Sequence, residues 1–278
     1  MIDIGRRSHL EVVETRADGL LLDAGHALPL LLPIEEVAGS FRAGDRIEVF
    51  IYLDTEGKPA ATTRQPAAEL GQVALLEIVE VNQLGAFADW GLPKDLFIPF
   101  AEQQHPLRRG NHALVRIYLD NQNRLAGSTR IDHWIKDDAT GLEPGLEVSL
   151  TIADRTDLGV KAVINHRSWG LLYGNELFKK LRLGQQITGY IKRIRADGKI
   201  DLSLEKPGFS HERLDSLGER IMDRLQAHGG ELPLTDKSPP GEIYATFGVS
   251  KKVFKQALGK LYKLRRITLH NDCIRQVE

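Results

Sequence analysis

Shifted forward by 66 positions, the first sixty-odd residues of this 278-residue chain fall on the next stretch without a gap. Gly19, Asp23, Gly25, Pro33, Gly44 and Arg64 land on Gly85, Asp89, Gly91, Pro99, Gly110 and Arg130, and Ile51-Tyr52-Leu53-Asp54 lands on Ile117-Tyr118-Leu119-Asp120. A third copy follows at a shift of 74, where Gly71, Gly85, Gly110 and Ile117 meet Gly145, Gly159, Gly184 and Ile191. A repeat of this length is a small domain rather than a solenoid unit. The chain is therefore built of modules.

Each copy alternates apolar and polar residues, as a half-buried strand does: Ile47, Val49, Ile51 and Leu53 in the first, Ala113, Val115, Ile117 and Leu119 in the second, Val148, Leu150 and Ile152 in the third. Turn signals follow at Asp54-Thr55-Glu56-Gly57, Asp120-Asn121-Gln122-Asn123 and Ala196-Asp197-Gly198. About five strands per copy point to a small barrel of the OB type. The expected architecture is mainly β with a C-terminal α/β module, with three tandem five-stranded barrels at 1–66, 67–136 and 141–206 and a further domain at 207–278.

Beyond Pro207-Gly208 the apolar period becomes helical, with Leu214, Leu217, Ile221 and Leu225 on one face and a stop at Gly229-Gly230. A short helical segment around Glu242 to Phe247 and the turn Gly248-Val249-Ser250 follow, with Ser250 placed to cap the next helix. That helix puts Val253, Phe254, Ala257, Leu258, Leu261 and Leu264 on one arc and Lys251, Lys252, Lys255, Lys260 and Lys263 on the other. The tail around Asn271-Asp272 reads as a two-stranded wing.

The net charge of −1 hides an asymmetry. Residues 1–160 hold 15 Lys/Arg against 25 Asp/Glu, a net −10, and residues 161–278 hold 22 against 13, a net +9. A polyanion meets the C-terminal half first. The single cysteine, Cys273, excludes an intramolecular disulfide and a cysteine zinc cluster. The first residues lack the apolar run of a signal peptide, so a cytoplasmic chain with no membrane partner is expected. Walker, HExxH and GxSxG motifs are absent, and the nine histidines are scattered. The expectation is a binding protein, not an enzyme, with no cofactor and no metal.

Gly85-Ala86-Phe87 and Leu96-Phe97-Ile98 in copy two, with Gly170-Leu171-Leu172-Tyr173 and Gly198-Lys199-Ile200-Asp201-Leu202-Ser203 in copy three, resemble the S1 RNA-binding domain. Copy one keeps the skeleton with Leu21 where Phe87 sits. The resemblance implies single-stranded RNA as ligand, bound by aromatic faces beside cations. The family's histidine position holds Pro33, Pro99 and Tyr173, and its two aromatic positions in copy three hold Leu158 and Lys161. Its acid–base pair appears as Asp54 with Lys58 and Asp120 with Arg124, but as Arg195 with Lys199 in copy three.

Copy three instead sets Lys179, Lys180, Arg182, Lys192, Arg193, Arg195 and Lys199 around Trp169 and Tyr173, the interleaving expected of an RNA face. Trp169 also suits a barrel core, as does Phe97. Phe87 and Arg124 are the candidates in copy two. The C-terminal module resembles a winged helix, whose basic helix offers Lys251, Lys252 and Lys255 to nucleic acid. The domain order resembles that of the conserved virulence factor B family of bacterial RNA-binding proteins. It implies a regulator that binds single-stranded RNA with low sequence specificity through one composite surface of copy three and the winged helix. The acidic half is left to protein contacts, the ribosome among them. Two other readings stay open: a DNA-binding transcription regulator, and a ribosome-associated or scaffolding protein.

Overall fold

The computed structural model describes residues 3–25, 29–177, 180–206 and 209–277. It divides into two compact units, residues 1–204 and 205–278.

The first unit holds three five-stranded sheets of one topology. Strands β1 (Arg7–Arg16), β2 (Gly19–Leu22), β3 (Leu30–Pro33), β4 (Arg46–Leu53) and β5 (Pro59–Thr62) run in the order β3-β2-β1-β4-β5. The order recurs in β6 (Val73–Val81), β7 (Gly85–Asp89), β8 (Leu96–Pro99), β9 (His112–Leu119) and β10 (Leu125–Ser128). It recurs again in β11 (Glu147–Thr156), β12 (Gly159–Ile164), β13 (Ser168–Tyr173), β14 (Gln186–Ile194) and β15 (Ile200–Ser203). Among the described residues only the third closes by hydrogen bonding, through a parallel pairing of Leu171 with Asp201 and Leu172 with Leu202. In the first two, β3 lies beside β5 and β8 beside β10 without a ladder, giving nearly closed barrels.

The repeat is dictated by local sterics as well as by core positions. Gly19, Gly85 and Gly159 have φ of 152°, 159° and 155°, and a Cβ at each would lie 2.0, 2.5 and 2.0 Å from the carbonyl oxygen of Leu32, Ile98 and Leu172. No side chain fits where the second strand leaves its hairpin against the third. A β-bulge also recurs in the first strand of each copy, at Val12/Glu14, Ile78/Glu80 and Ile152/Asp154, where the strand bends around its barrel.

The alternating residues fill the barrels as expected, with Ile47, Val49, Ile51, Val115, Ile117, Val148, Leu150 and Ile152 buried. What periodicity does not anticipate is the use of the outer faces. Phe50, on the far side of β4 from barrel 1's core, is 1% exposed and packs edge-on to Trp90 in barrel 2 at 5.8 Å. Between barrels 2 and 3 a separate cluster forms from Val73, Ile131, Ile135, Val163 and Trp169. Beside it Arg116 Nη1 donates to the His166 carbonyl at 2.9 Å, and the Val73 N–H donates to His166 Nδ1 at 3.1 Å.

In the second unit α1 (Phe209–Ala227) buries Leu217, Ile221 and Leu225 against α3 (Lys251–Lys263). Between them lie β16 (Glu231–Leu232) and α2 (Pro240–Phe247). Gly248 ends α2 in the left-handed conformation, and Ser250 caps α3 by accepting the Val253 N–H at 3.4 Å. Leu264, expected on the buried arc, is 58% exposed because it is the cap residue beyond the last turn. The wing is three-stranded rather than two-stranded: β16 pairs with β18 (Ile274–Gln276), which pairs with β17 (Ile267–Leu269). Among the described residues no helix is long and apolar enough to cross a membrane.

Candidate nucleic-acid interface

Barrel 3 gathers four of the expected residues on one outer face. Tyr173 ends β13, while Lys192 and Arg193 sit on β14 at a bulge between Ile191 and Arg193. The bulge leaves both side chains exposed instead of sending one inward. Lys192 Nζ lies 6.0 Å and the Arg195 guanidinium carbon 5.9 Å from the Tyr173 ring centre. The group converges on Asp201 of β15, which is 3% exposed. Arg195 Nε donates to its Oδ1 at 2.8 Å, Arg193 Nη2 to its Oδ2 at 3.1 Å, and the Tyr173 hydroxyl to Oδ1 at 3.3 Å. Burial alone would push the Asp201 carboxyl up, but the hydrogen bonds and charges of Arg195 and Arg193 hold it below the usual carboxylate range.

Asp201 thus fixes two guanidiniums and a phenol, while one carboxylate against two cations leaves a net positive charge. The Arg193 side chain remains 67% exposed despite the pair. Lys192 is held by Glu176 at 2.6 Å, and Lys199 lies 3.8 Å from Asp197. Lys180 and Arg182 are exposed between β13 and β14. Lys179 lies outside the described residues.

Trp169 is not part of this face. It is 9% exposed in the cluster between barrels 2 and 3, with Lys161 Nζ 3.7 Å from its ring centre and that lysine paired with Asp132 at 2.9 Å. The ring is covered by protein on the side where a base would need to stack, which corrects the expectation that it lines an RNA site.

In barrel 2 Phe87 is half-buried against Phe97, ring centres 5.3 Å apart. Arg124 is tied to Asp120 at 2.8 Å and exposed at 58%. The sequence reading missed an aromatic pair nearby: half-buried Tyr118 and exposed Trp134 lie 5.1 Å apart, and the Arg116 guanidinium sits 5.4 Å from the Trp134 ring. Trp134 falls after the last strand of copy two, where no strand pattern draws attention to it. Asp201 and Glu176 were missed as well; a carboxylate between Ile200 and Leu202, two strand residues from an arginine hairpin, was the available signal.

On α3 Lys251 donates to the Lys237 carbonyl at 3.0 Å and Lys255 pairs with Asp236 at 3.3 Å, whereas Lys252 is exposed with no ion pair among the described residues. No group of three or more potential metal ligands occurs among the described residues.

Comparison with known proteins agrees with this anatomy. Residues 4–64 match the S1 domain, and residues 219–275 match the CvfB-like winged helix domain. The S1 match falls on barrel 1, the copy with Leu21 at the position of Phe87. Conserved virulence factor B of Staphylococcus epidermidis is 26% identical over 98% of this chain and 94% of its own length. Uncharacterized protein YitL of Bacillus subtilis is 27% identical over 87% and 83%. A solved multidomain protein with nucleic acid binding domains from Streptococcus pneumoniae is 23% identical, covering 99% of this chain and 98% of its own, with a TM-score of 0.41. The chain therefore carries an S1 domain at residues 4–64 and a CvfB-like winged helix domain at residues 219–275, and along nearly its whole length it is similar to conserved virulence factor B proteins.

Proposed function

We propose that the chain binds single-stranded RNA in the cytoplasm as a post-transcriptional regulator, using the Tyr173 face of barrel 3 together with the winged helix. The observation that carries this reading is the meeting of one accessible aromatic with Lys192, Arg193 and Arg195. A base stacked on the phenol gains about 1–3 kcal/mol, and the cations beside it meet the flanking phosphates. Asp201 pre-orders the guanidiniums, so fewer rotamers are lost on binding. Nothing on this face reads base edges in a fixed pattern, so sequence preference is weak. Lys252, with no ion pair among the described residues, is the leading winged-helix contact.

The test is fluorescence anisotropy of the full chain with a short unstructured RNA, its DNA equivalent and a DNA duplex at two salt concentrations. Changing Lys192, Arg193 and Lys199 together to Ala is expected to reduce RNA affinity and flatten the salt slope by about 2, at roughly 0.7 per phosphate contact on a single strand. Unchanged affinity and slope would remove this face from the reading. Preference for the duplex, lost on Lys252→Ala, would favour a transcription regulator.

A further inference from the structure

The three barrels share a topology but cover the same outer face differently. In barrel 3 the row formed by Thr151, Val163 and Trp169 across β11, β12 and β13 is uncharged, and Val163 and Trp169 are covered by Ile131 and Ile135 from the segment after β10. That segment also bonds along the strand, with the Trp169 N–H donating to the Lys136 carbonyl at 2.9 Å. This face of the barrel therefore takes a protein segment within this chain.

In barrel 2 the same row is Glu77 and Asp89, register partners across β6 and β7, continued by Asp95 just before β8. Beside it Phe87 and Phe97 are register partners, and Glu80 of the bulge faces Phe87. All four carboxylates are exposed, and none has an ion pair among the described residues. The neighbouring Lys94 is turned away, donating to the Asp54 carbonyl of barrel 1 at 2.7 Å. Partial burial, then the charges of Asp89 and Glu80, raise the Asp95 carboxyl above its usual range, as expected where like charges crowd without a cation. Leu84, just before β7, is 70% exposed. An apolar strip rimmed by uncompensated negative charge repels a phosphate backbone and suits a cationic, partly apolar partner.

We infer that the outer face of β6–β8 is a docking surface for a basic protein segment, one whose arginines or lysines alternate with apolar residues. The apolar side chains lie on Phe87 and Phe97, and the cations meet Glu77, Glu80, Asp89 and Asp95. This assigns Phe87 to protein rather than RNA, and it stands independently of the RNA face on barrel 3.

The experiment titrates the full chain with a fluorescent peptide alternating arginine and leucine, with a glutamate–leucine peptide as control, and separately with the unstructured RNA. Expected is salt-sensitive binding of the basic peptide alone. Glu77→Lys with Glu80→Lys should weaken it about tenfold or more, since like-charge contacts then replace complementary ones. Phe87→Ala should weaken it too, while keeping RNA affinity within about twofold, because it alters no charge and lies off the barrel 3 face. Glu77 and Glu80 are exposed, so the charge-reversed chain keeps its fold, checked by circular dichroism. No peptide binding, or peptide binding unchanged in the charge-reversed chain, overturns the inference. So does loss of RNA affinity on Phe87→Ala, which would make the face an RNA site, or a wild-type dimer that the variants dissolve, which would make the occupant a second copy.

Discussion

Replacing Trp169 with alanine separates packing from stacking. The indole is 9% exposed, so nearly all of its surface is withdrawn from water at the junction of barrels 2 and 3. An indole buries on the order of 200 Å², and at about 25 cal/mol per Å² this amounts to roughly 5 kcal/mol, an upper figure because unfolded chains bury some surface already. Cavity-forming substitutions of this size usually destabilise by about 3–5 kcal/mol. Part of the loss comes from Lys161, whose ammonium would no longer face a ring; Lys161→Met, which keeps the aliphatic stem, should cost about 1 kcal/mol. The assay is urea unfolding followed by tryptophan fluorescence. The chain has three tryptophans, all in the first unit, so Trp90 and Trp134 still report that unit in the variant. Trp169→Ala should lower the midpoint in proportion, and where the variant is folded its RNA affinity should stay within about twofold. A loss under about 1 kcal/mol joined to a tenfold drop in RNA affinity would refute the packing argument, since only an exposed ring behaves in that way.

His166 accepts the Val73 N–H on Nδ1, so it must be neutral, and burial followed by the charge of Arg116 lowers its pKa. The unfolded chain takes up this proton first, near pH 6.5; stability is therefore complete above about 6.5 and falls as pH drops from there toward the folded pKa. Urea midpoints measured across that interval should show the loss, and His166→Asn, which keeps an acceptor and tolerates the local φ of 58°, should reduce it. Asp201→Asn should destabilise the first unit by about 1.5–3 kcal/mol and lower RNA affinity at constant folding, because Arg193 and Arg195 lose the carboxylate that orders them; a rise in affinity with a steeper salt dependence would refute the ordering role. Ser250→Ala should cost about 0.5–1 kcal/mol, read by thermal loss of helical circular dichroism, since among the described residues the α-helices lie in the second unit.

The repeat was legible because turns and bulges impose residue types locally: glycine where a Cβ would strike a carbonyl, apolar residues at every second strand position. The cap at Ser250 and the stop at Gly229-Gly230 were legible for the same reason. Open against closed barrels were not, since the difference lies in one strand pairing, β13 with β15, that no local pattern encodes. The candidate site divides along the same line. Tyr173, Lys192, Arg193 and Arg195 are close in sequence or across a closing ladder, so a motif could gather them. Trp169 could not be placed because the residues that cover it, Ile131 and Ile135, come from the segment after β10, and an apolar residue on the outside of a strand looks the same in sequence whether a base or a protein covers it. The third wing strand, β16, has only two residues and leaves no periodic trace.

Phe50 is more than a contact. Counting by the repeat, its position corresponds to Arg116 in barrel 2 and Tyr190 in barrel 3. Phe50 enters the core of the following barrel, Arg116 reaches the hairpin carbonyl of the following barrel, and Tyr190 turns back to its own sheet to donate to Glu147 at 3.0 Å. One address in the module thus serves as a coupling, engaged twice and left as a blank end fitting the third time. Cutting the chain at residue 66 therefore does not release an independent part: the shorter piece would carry a bare phenylalanine and the longer one an uncovered Trp90. Loss of binding in either fragment would report a broken coupling before it reported a missing ligand contact.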